Sequence, residues 1–438
     1  MNTSENQTPT RRDFLKTSTL ALSGAVAAPF IMGTRTNAAS PGDTIKVGLI
    51  GCGGRGSGAA LNALNADKNA VLTAVGDLYE EKAHNQIKEF KGSKDHAERI
   101  NVKDGDVYSG FNAYKGVLDS GVDVVILATP PGFRPQHMKA AVAANKHMFV
   151  EKPMSTDAPG LRSIMESVAE AKQKKLAVCA GFCWRYNLAE QALFEKLLAG
   201  DIGDIRTIYA TYNTGFLWDR TNAADTTPLQ KQLRNWMYYT WLSGDHYCEQ
   251  AIHAVDWMCW AMKDIPPVKA IAHGGRQVRT QEKYGHIFDH FEVVYEYATG
   301  ARGFIFARQQ AGCANDNTAI FYGTKGTGRE LGFNGMPFIM NDKSERTWVY
   351  KGKRPNMYDV EHGVLFDSIR AGKPMNDGDR MVSSTMTGIM GRMAAYTGKE
   401  ITWDMAMNSQ EKLVPDNVNW DTPAPEVHVA MPGQTRFI

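Results

Sequence analysis

Cysteine is scarce in this chain: six in 438 residues, too few for a disulfide scaffold. Cys179 and Cys183 stand four apart with no second pair, so no zinc site is expected and none of the six is assigned to a metal. A dominant charge is also lacking. There are 49 basic and 47 acidic residues, a formal charge of +2, which gives no compositional case for nucleic-acid binding. Past residue 38 there is no internal repeat and no low-complexity segment. The uncharged, mostly apolar stretch Thr17–Met32 falls short of the roughly 20 residues that a membrane-spanning helix needs, so no stable membrane anchor is expected. What is present is ordinary globular material, 43% apolar and 22% charged, in a length that suggests two or three domains.

The first 38 residues read differently from the rest. Thr10-Arg11-Arg12-Asp13-Phe14-Leu15-Lys16 has the form of a twin-arginine export motif. The apolar stretch follows it as a signal core, and Thr36-Asn37-Ala38-Ala39 offers small residues for cleavage. Residues 1–38 are therefore expected to be a signal peptide that sends the protein to the periplasm or otherwise outside the inner membrane. Cutting after Ala38 removes Arg11, Arg12, Lys16 and Arg35 together with Glu5 and Asp13, so the formal charge of +2 falls to zero.

The remaining chain opens with a nucleotide-binding pattern. Ile45–Ile50 reads as a buried strand, Gly51-Cys52-Gly53-Gly54-Arg55-Gly56 follows at once, and Ser57–Ala66 continues as a helix. In G-x-G-x-x-G the first glycine permits the tight turn. The second lets the backbone approach a pyrophosphate, and the third lets helix and strand pack closely. The helix start then offers free N–H groups to phosphate. Val71–Val75 predicts a second strand ending at Gly76-Asp77, where a carboxylate is expected on the adenosine ribose. A free 2′-hydroxyl can donate to Asp77, while a 2′-phosphate would be repelled. That favours NAD over NADP.

Strand–helix units continue. Val122–Ala128 is a near-continuous apolar run, as in a central parallel strand, and ends in Thr129-Pro130-Pro131. Gln136–Asn145 predicts a helix, and Lys146–Val150 a strand ending in Glu151-Lys152-Pro153. The alternation argues for a doubly wound α/β sheet, a Rossmann domain placed at residues 43–165. The glycine fingerprint, Ala128-Thr129-Pro130 and Glu151-Lys152-Pro153 at these separations resemble the Gfo/Idh/MocA oxidoreductase family. The likeness continues at Gly181-Phe182 with Arg185-Tyr186, at Gly200-Asp201-Ile202-Gly203, and at Glu249-x-x-x-His253-x-x-Asp256. It implies a coenzyme site formed by Gly51, Gly53, Gly54, Arg55, Gly56, Asp77, Thr129, Pro130, Glu151 and Lys152, and a carbohydrate or polyol substrate. One departure stands out: Glu249 occupies a position where the family usually has Asp, and Ser243-Gly244-Asp245-His246 replaces a run of glycines.

The residues can be read without the family. A secondary alcohol gives up hydride only as its hydroxyl proton leaves, so a base must reach that hydroxyl. Lys152, at the carboxyl end of a strand, is placed to hydrogen-bond the hydroxyl; a structural pair with Glu151 is the alternative. Glu249 and His253 stand four apart in Cys248–Met262, whose apolar spacing predicts one continuous helix with both on one face. His253 is a proton acceptor suited to neutral pH, and Glu249 would orient it or hold sugar hydroxyls; otherwise both are core residues. Asp245 and His246 are further substrate-binding candidates, with helix capping the alternative for Asp245, and the resemblance adds Arg185 and Tyr186.

Residues Asn213–Tyr247 are rich in aromatics: Phe216, Trp218, Trp236, Tyr238, Tyr239, Trp241 and Tyr247, with Arg220 and Arg234 among them. They suit either the apolar faces of sugars or a hydrophobic loop packed on the core. Asp219–Gln232 reads as loop. Beyond it, strand signals at Val268–Ala272, His290–Tyr297, Arg302–Ala307 and Thr318–Gly323 predict an open, mostly antiparallel sheet, with Ala298-Thr299-Gly300 as a hairpin turn. Helices are predicted at Val360–Ala371 and Met381–Tyr396. Residues 166–438 are thus expected to form an α+β domain for substrate binding and oligomerisation, in a homo-oligomer. The resemblance implies two activities: a sugar or polyol oxidoreductase, and, as in some relatives, a glycoside hydrolase that uses bound NAD to oxidise its sugar transiently and returns the hydride. Export of an already folded protein would further require that NAD be carried tightly bound.

Overall fold

The computed structural model describes residues 42–220 and 224–438; the signal peptide expected at 1–38 lies outside them. Two sheets organise the fold. The first is a six-stranded parallel sheet of β1 (Ile45–Ile50), β2 (Ala70–Asp77), β3 (Val107–Ser109), β4 (Val124–Leu127), β5 (His147–Val150) and β6 (Val178–Ala180), in the order β3-β2-β1-β4-β5-β6. This is the doubly wound Rossmann order, in which ligands bind at the carboxyl edge where the strand order reverses between β1 and β4. Burial on both faces explains why β1, β4 and β5 read as almost unbroken apolar runs.

The helix Gly54–Ala66 buries Ala59, Ala60, Ala63 and Leu64 in a cluster with Ile45, Val47 and Leu49 of β1. Alanine keeps its helix propensity high and its small side chains let it lie close to the sheet.

The second sheet has nine strands: β7 (Ile205–Thr214), β8 (Lys269–Gly275), β9 (His290–Glu296), β10 (Arg302–Gln309), β11 (Ala319–Gly323), β12 (Gly326–Glu330), β13 (Phe338–Asn341), β14 (Arg346–Val349) and β15 (Ile401–Thr402). Their order is β14-β13-β12-β11-β7-β10-β9-β8-β15. Apart from the parallel pair β7–β10 its assigned pairings are antiparallel, as expected. Gly300 takes φ +80° in the turn between β9 and β10, a conformation open to glycine at little cost. Alternate residues of β10 are buried, and the helices Ile252–Ala261 and Gly378–Thr397 cover that side of the sheet.

Three expectations need correction. The first sheet does not end at residue 165, because β6 lies beyond it; a three-residue strand carries too little pattern to be read from sequence. The helix Met357–Arg370 also returns to the first sheet, adding Leu365, Phe366 and Ile369 to the β1 cluster, and Arg370 pairs with Asp67 at 2.5 Å. The stretch Asp219–Gln232 is not all loop: Pro228–Arg234 is helical, started by a Thr227/Gln230 capping box with Pro at the first turn. Finally, Cys248–Met262 is not one helix. It divides into His246–Glu249 and Ile252–Ala261, and the Ala251 N–H reaches back five residues to His246 O at 3.0 Å, a local widening of the kind often found at functional sites. Among the described residues no helix is long and apolar enough to cross a membrane.

Candidate active site

A cleft of about 400 Å³ runs along the carboxyl edge of the first sheet. Its floor is the turn after β1. Gly51 has φ +101°, and a Cβ on Gly56 would stand 1.9 Å from Gly51 O, so any side chain there would push the helix off the turn. A Cβ on Gly53 or Gly54 would meet nothing within 4 Å: the backbone there faces open cleft. The helix begins at Gly54 with no side chain capping its first N–H groups, leaving them to an anion. These features fit a dinucleotide pyrophosphate.

At one end of the cleft Asp77 closes β2. Its Oδ2 accepts from the Cys52 N–H at 2.7 Å and its Oδ1 from the Tyr79 N–H at 3.0 Å, which fixes the carboxylate at the cleft wall. Tyr79, Lys82 and Phe111 line this end from the first domain, and Trp218, Arg220 and Trp236 face them from the second. The Arg220 guanidinium stacks 3.8 Å from the Trp218 ring, and that of Arg234 3.8 Å from the Tyr79 ring. Burial lowers the Lys82 ammonium, and its cationic neighbours Arg220 and Arg234 push the same way against Asp77. The aromatic segment thus divides. Trp218 and Trp236 line the cleft, whereas Tyr238, Tyr239 and Trp241 form a buried cluster with Leu229, Leu233 and Ile287, and Tyr247 is wholly buried in the main core.

Along the middle, Thr129 and Pro130 line the wall beyond β4. The Thr129 hydroxyl is 3.0 Å from His137 Nδ1, and Arg134 donates to Thr129 O and Pro153 O. Burial lowers the His137 pKa to about 3, with the Arg134 charge adding to it, so this histidine is a neutral orienting group. Arg55 does not simply face the cleft: its Nε is 2.5 Å from Glu151 Oε1, and its guanidinium lies 4.5 Å from the Tyr358 ring. Glu151 Oε2 in turn accepts from the Lys152 N–H at 3.2 Å. Glu151 therefore braces the glycine turn and the Lys152 backbone, and does not pair with the Lys152 ammonium.

The far end of the cleft is lined by Glu249 and Gln250. Lys152 Nζ lies 3.2 Å from Glu249 Oε1 and also donates to Glu249 O. Among the described residues no hydrogen bond joins Glu249 to His253, so Glu249 partners the lysine and does not orient the imidazole. His253 sits near Tyr212, with ring centroids 6.3 Å apart, and its Nδ1 has no hydrogen-bond partner among the described residues. Burial holds its pKa well below the usual range, and the positive charges of Lys152 and Arg55 lower it further. The imidazole is neutral at physiological pH, the form able to accept a proton, though a weaker base than a free histidine. Gln250 is fixed by a buried chain: Gln309 Nε2 donates to its Oε1, and Arg279 donates to Gln309 Oε1 and to Phe288 O.

Four substrate-binding candidates lie elsewhere. Arg185 is buried and forks onto Asp256 and Asp264, at 2.8 and 2.5 Å. The Tyr186 hydroxyl donates to Asp377 at 2.8 Å and accepts from Arg380 at 2.8 Å. Asp245 accepts from the His246 N–H, from the Phe288 N–H at 2.8 Å and from the Tyr396 hydroxyl at 2.5 Å; it caps the short helix that follows. His246 is fully buried against Phe291. Arg185, Tyr186 and Asp245 are thus consumed by interior pairing, whereas the ring nitrogens of His246 are buried without a hydrogen-bond partner among the described residues. Sequence reading missed His137, Tyr79, Lys82, Phe111 and Gln250; only tertiary folding brings them to the cleft. Among the described residues no cluster of His, Cys, Asp or Glu could hold a metal ion.

Comparison with known proteins agrees with this architecture. Residues 45–182 match the model described as "Oxidoreductase family, NAD-binding Rossmann fold", and residues 191–329 the "GFO/IDH/MocA C-terminal domain". The chain is 29% identical over 224 residues to a glycosyl hydrolase family 109 protein of Shewanella sp. (strain ANA-3), covering 45% of this chain and 46% of that one. It thus spans just under half the length of that relative. It is 24% identical over 340 residues to an inositol 2-dehydrogenase of Saccharopolyspora erythraea, covering 75% of this chain and 86% of the relative. Among solved structures, an aldose–aldose oxidoreductase from Caulobacter crescentus superposes with TM-score 0.65 at 16% identity, covering 82% of this chain and 99% of that one. At that identity the likeness speaks for the fold alone.

Proposed function

The chain belongs to the Gfo/Idh/MocA oxidoreductase family, and from that premise we propose that it moves hydride between a nicotinamide coenzyme and a secondary hydroxyl of a sugar or polyol. The observation that carries this reading is the Lys152–Glu249 pair beside the neutral His253 at the end of the cleft opposite Asp77. The coenzyme, when bound, supplies the hydride acceptor or donor. The chain's residues handle the proton and the charge. His253, being neutral, accepts the hydroxyl proton as hydride leaves; the Lys152 ammonium, held by Glu249, donates a hydrogen bond to the oxygen as negative charge develops. Glu249 and Gln250, at the cleft surface, are placed for sugar hydroxyls. The carboxylate of Asp77 at the ribose end favours NAD over NADP.

A second reading is supported by the glycosyl hydrolase relative. In it the bound coenzyme would supply the transient hydride acceptor, while the same residues would handle the protons as the glycosidic leaving group departs by elimination and water adds in its place, giving free sugar and aglycone with no net redox change. Both readings fit an exported protein that carries NAD as a resident group, regenerated in place, because a dissociable coenzyme would be lost outside the inner membrane. The test is to purify the protein without added coenzyme, denature it and quantify what is released, then follow products from sugars and aryl glycosides. Near-stoichiometric NAD supports residence; a protein free of nicotinamide that turns over only with added NAD overturns it. A keto-sugar identifies the oxidoreductase, and free sugar plus aglycone the hydrolase.

A further inference from the structure

The C-terminal segment makes a closed excursion. It leaves the helix Trp403–Asn408 and comes back to its starting point: Ser409 Oγ and the Gln410 N–H both donate to Ile438 O, at 2.5 and 3.1 Å. Between these tied ends the chain travels along the outside of the aromatic segment. The Leu413 N–H donates to Asp157 Oδ2 at 2.8 Å, and Gln232 Nε2 donates to Pro425 O at 2.9 Å. Leu413, Val414, Val418 and Ala424 pack on the buried cluster built around Tyr238 and Trp241. The excursion carries Trp420 against the ribose end of the cleft. Its ring meets Phe111 edge-on at 4.9 Å and Tyr79 at 6.0 Å, and both of those rings line the cleft beside Asp77.

Tyr79 is therefore held from two sides. Arg234, ion-paired to Glu81 and Asp225, stacks on the ring, and Trp420 packs beside it from the tail. We propose that the C-terminal excursion clamps the adenosine end of the cleft, with Trp420 as a positioning residue that sets how long the coenzyme stays bound. This rests on the nicotinamide-coenzyme reading. The physical basis is that Tyr79 and Phe111 form the wall of the cleft beside Asp77, and the Trp420 ring supplies part of the packing that restrains them. Each edge-to-face contact is a modest attraction, and its loss lets the wall of the cleft open more often. Trp420 is itself 43% exposed, so its replacement leaves the core intact. The tail lies beyond residue 329, where the family match ends.

The experiment loads wild type, Trp420→Ala, Trp420→Phe and, as a control on the far limb of the same tail, Met431→Ala with NADH. Its dissociation is followed by fluorescence during a chase with excess NAD. Trp420→Ala should release NADH roughly three- to tenfold faster, the range expected for one or two lost aromatic contacts. Trp420→Phe and Met431→Ala should stay near wild type, with thermal unfolding midpoints unchanged. An unaltered release rate in Trp420→Ala, with wild type binding NADH normally, overturns the clamp alone. Equal acceleration in Met431→Ala also overturns it, since that would reflect general loosening of the tail. Failure of wild type to bind NADH overturns the coenzyme reading and the clamp with it.

Discussion

Lys152 Nζ stands 3.2 Å from Glu249 Oε1 with both side chains almost buried, 12% and 13% exposed, and the two arrive there from different domains. Lys152 follows β5 of the first sheet, and Glu249 lies where the chain divides into two helices beside the second. The end of the cleft proposed for the reaction is thus completed by residues from both sheets' domains. Lys152→Ala should lower turnover by at least about 10²-fold, the low end for loss of an acid–base group. NADH affinity, measured by fluorescence titration, should change little. Glu249→Gln keeps the shape and a hydrogen-bond acceptor but removes the charge holding the ammonium, so its loss should be smaller. Near-normal turnover in Lys152→Ala would move the chemistry elsewhere.

His253→Ala should cost a similar factor, again with coenzyme binding intact. The pH profile carries the sharper expectation. A histidine with its pKa pushed down by burial and neighbouring cations is already deprotonated well below the ordinary value of about 6.5. The acid limb of kcat/KM from this group should therefore lie clearly below pH 6.5. A limb centred at 6.5 that disappears in His253→Gln would contradict the neutral imidazole.

Much of this site was legible because its parts are local. A glycine turn needs φ > 0 at Gly51 and no side chain at Gly56, and those demands are written in adjacent residues. Asp77 is found by counting to the end of the next apolar strand. What the sequence hid depends on partners far along the chain. Arg185 looks like a sugar ligand until Asp256 and Asp264 fold onto it, and Asp245 until Tyr396 does. Lys152 and Glu249, 97 residues apart, were each identifiable, but their pairing was not. Glu249 reads in the sequence either as orienting His253 or as holding sugar hydroxyls, and the first rests on a helix whose continuity the Ala251–His246 bond breaks.

The coenzyme preference tests Asp77. Replacing it with Ala should weaken NAD far more than NADP, because a ribose-facing carboxylate accepts from a 2′-hydroxyl and repels a 2′-phosphate. Lys82 and Arg220, on the same end of the cleft, would then face the 2′-phosphate without opposition. Dissociation constants for both coenzymes, in wild type and variant, decide this. Tighter NADP than NAD binding by the wild type would refute the assignment.

Arg185 separates a structural from a ligand role. Its fork onto Asp256 and Asp264 is buried, and Ser384 Oγ also donates to Asp256 at 2.6 Å. Removing one partner of a buried pair leaves an uncompensated charge, which costs about 3–5 kcal/mol. Arg185→Ala should therefore lower the unfolding free energy on that scale, while the folded fraction keeps its KM. A raised KM with unchanged stability would restore Arg185 to the substrate site.

The last prediction concerns an acid pair remote from the cleft. Glu190 Oε2 accepts from Trp257 Nε1 at 2.6 Å, and Glu330 Oε1 from the Gly332 N–H at 2.7 Å; the other oxygen of each is buried without a hydrogen-bond partner among the described residues. Burial pushes Glu330 up to about 7, and it raises Glu190 as well, with the Glu330 charge adding to that rise. A carboxyl whose folded pKa is raised binds its proton more tightly folded than unfolded. Its contribution is full below the unfolded value of about 4.5 and is lost as pH rises from there to about 7. Glu330→Gln retains the acceptor for Gly332 but has no proton to lose, and it relieves Glu190 of a like charge. Relative to wild type the variant should gain stability between pH 5 and 8, by about 1 kcal/mol or more, since each pKa unit of difference is about 1.4 kcal/mol. Denaturant unfolding at pH 5, 6.5 and 8 measures this directly. A stability difference that stays constant across those three pH values would mean that Glu330 titrates as an ordinary carboxylate.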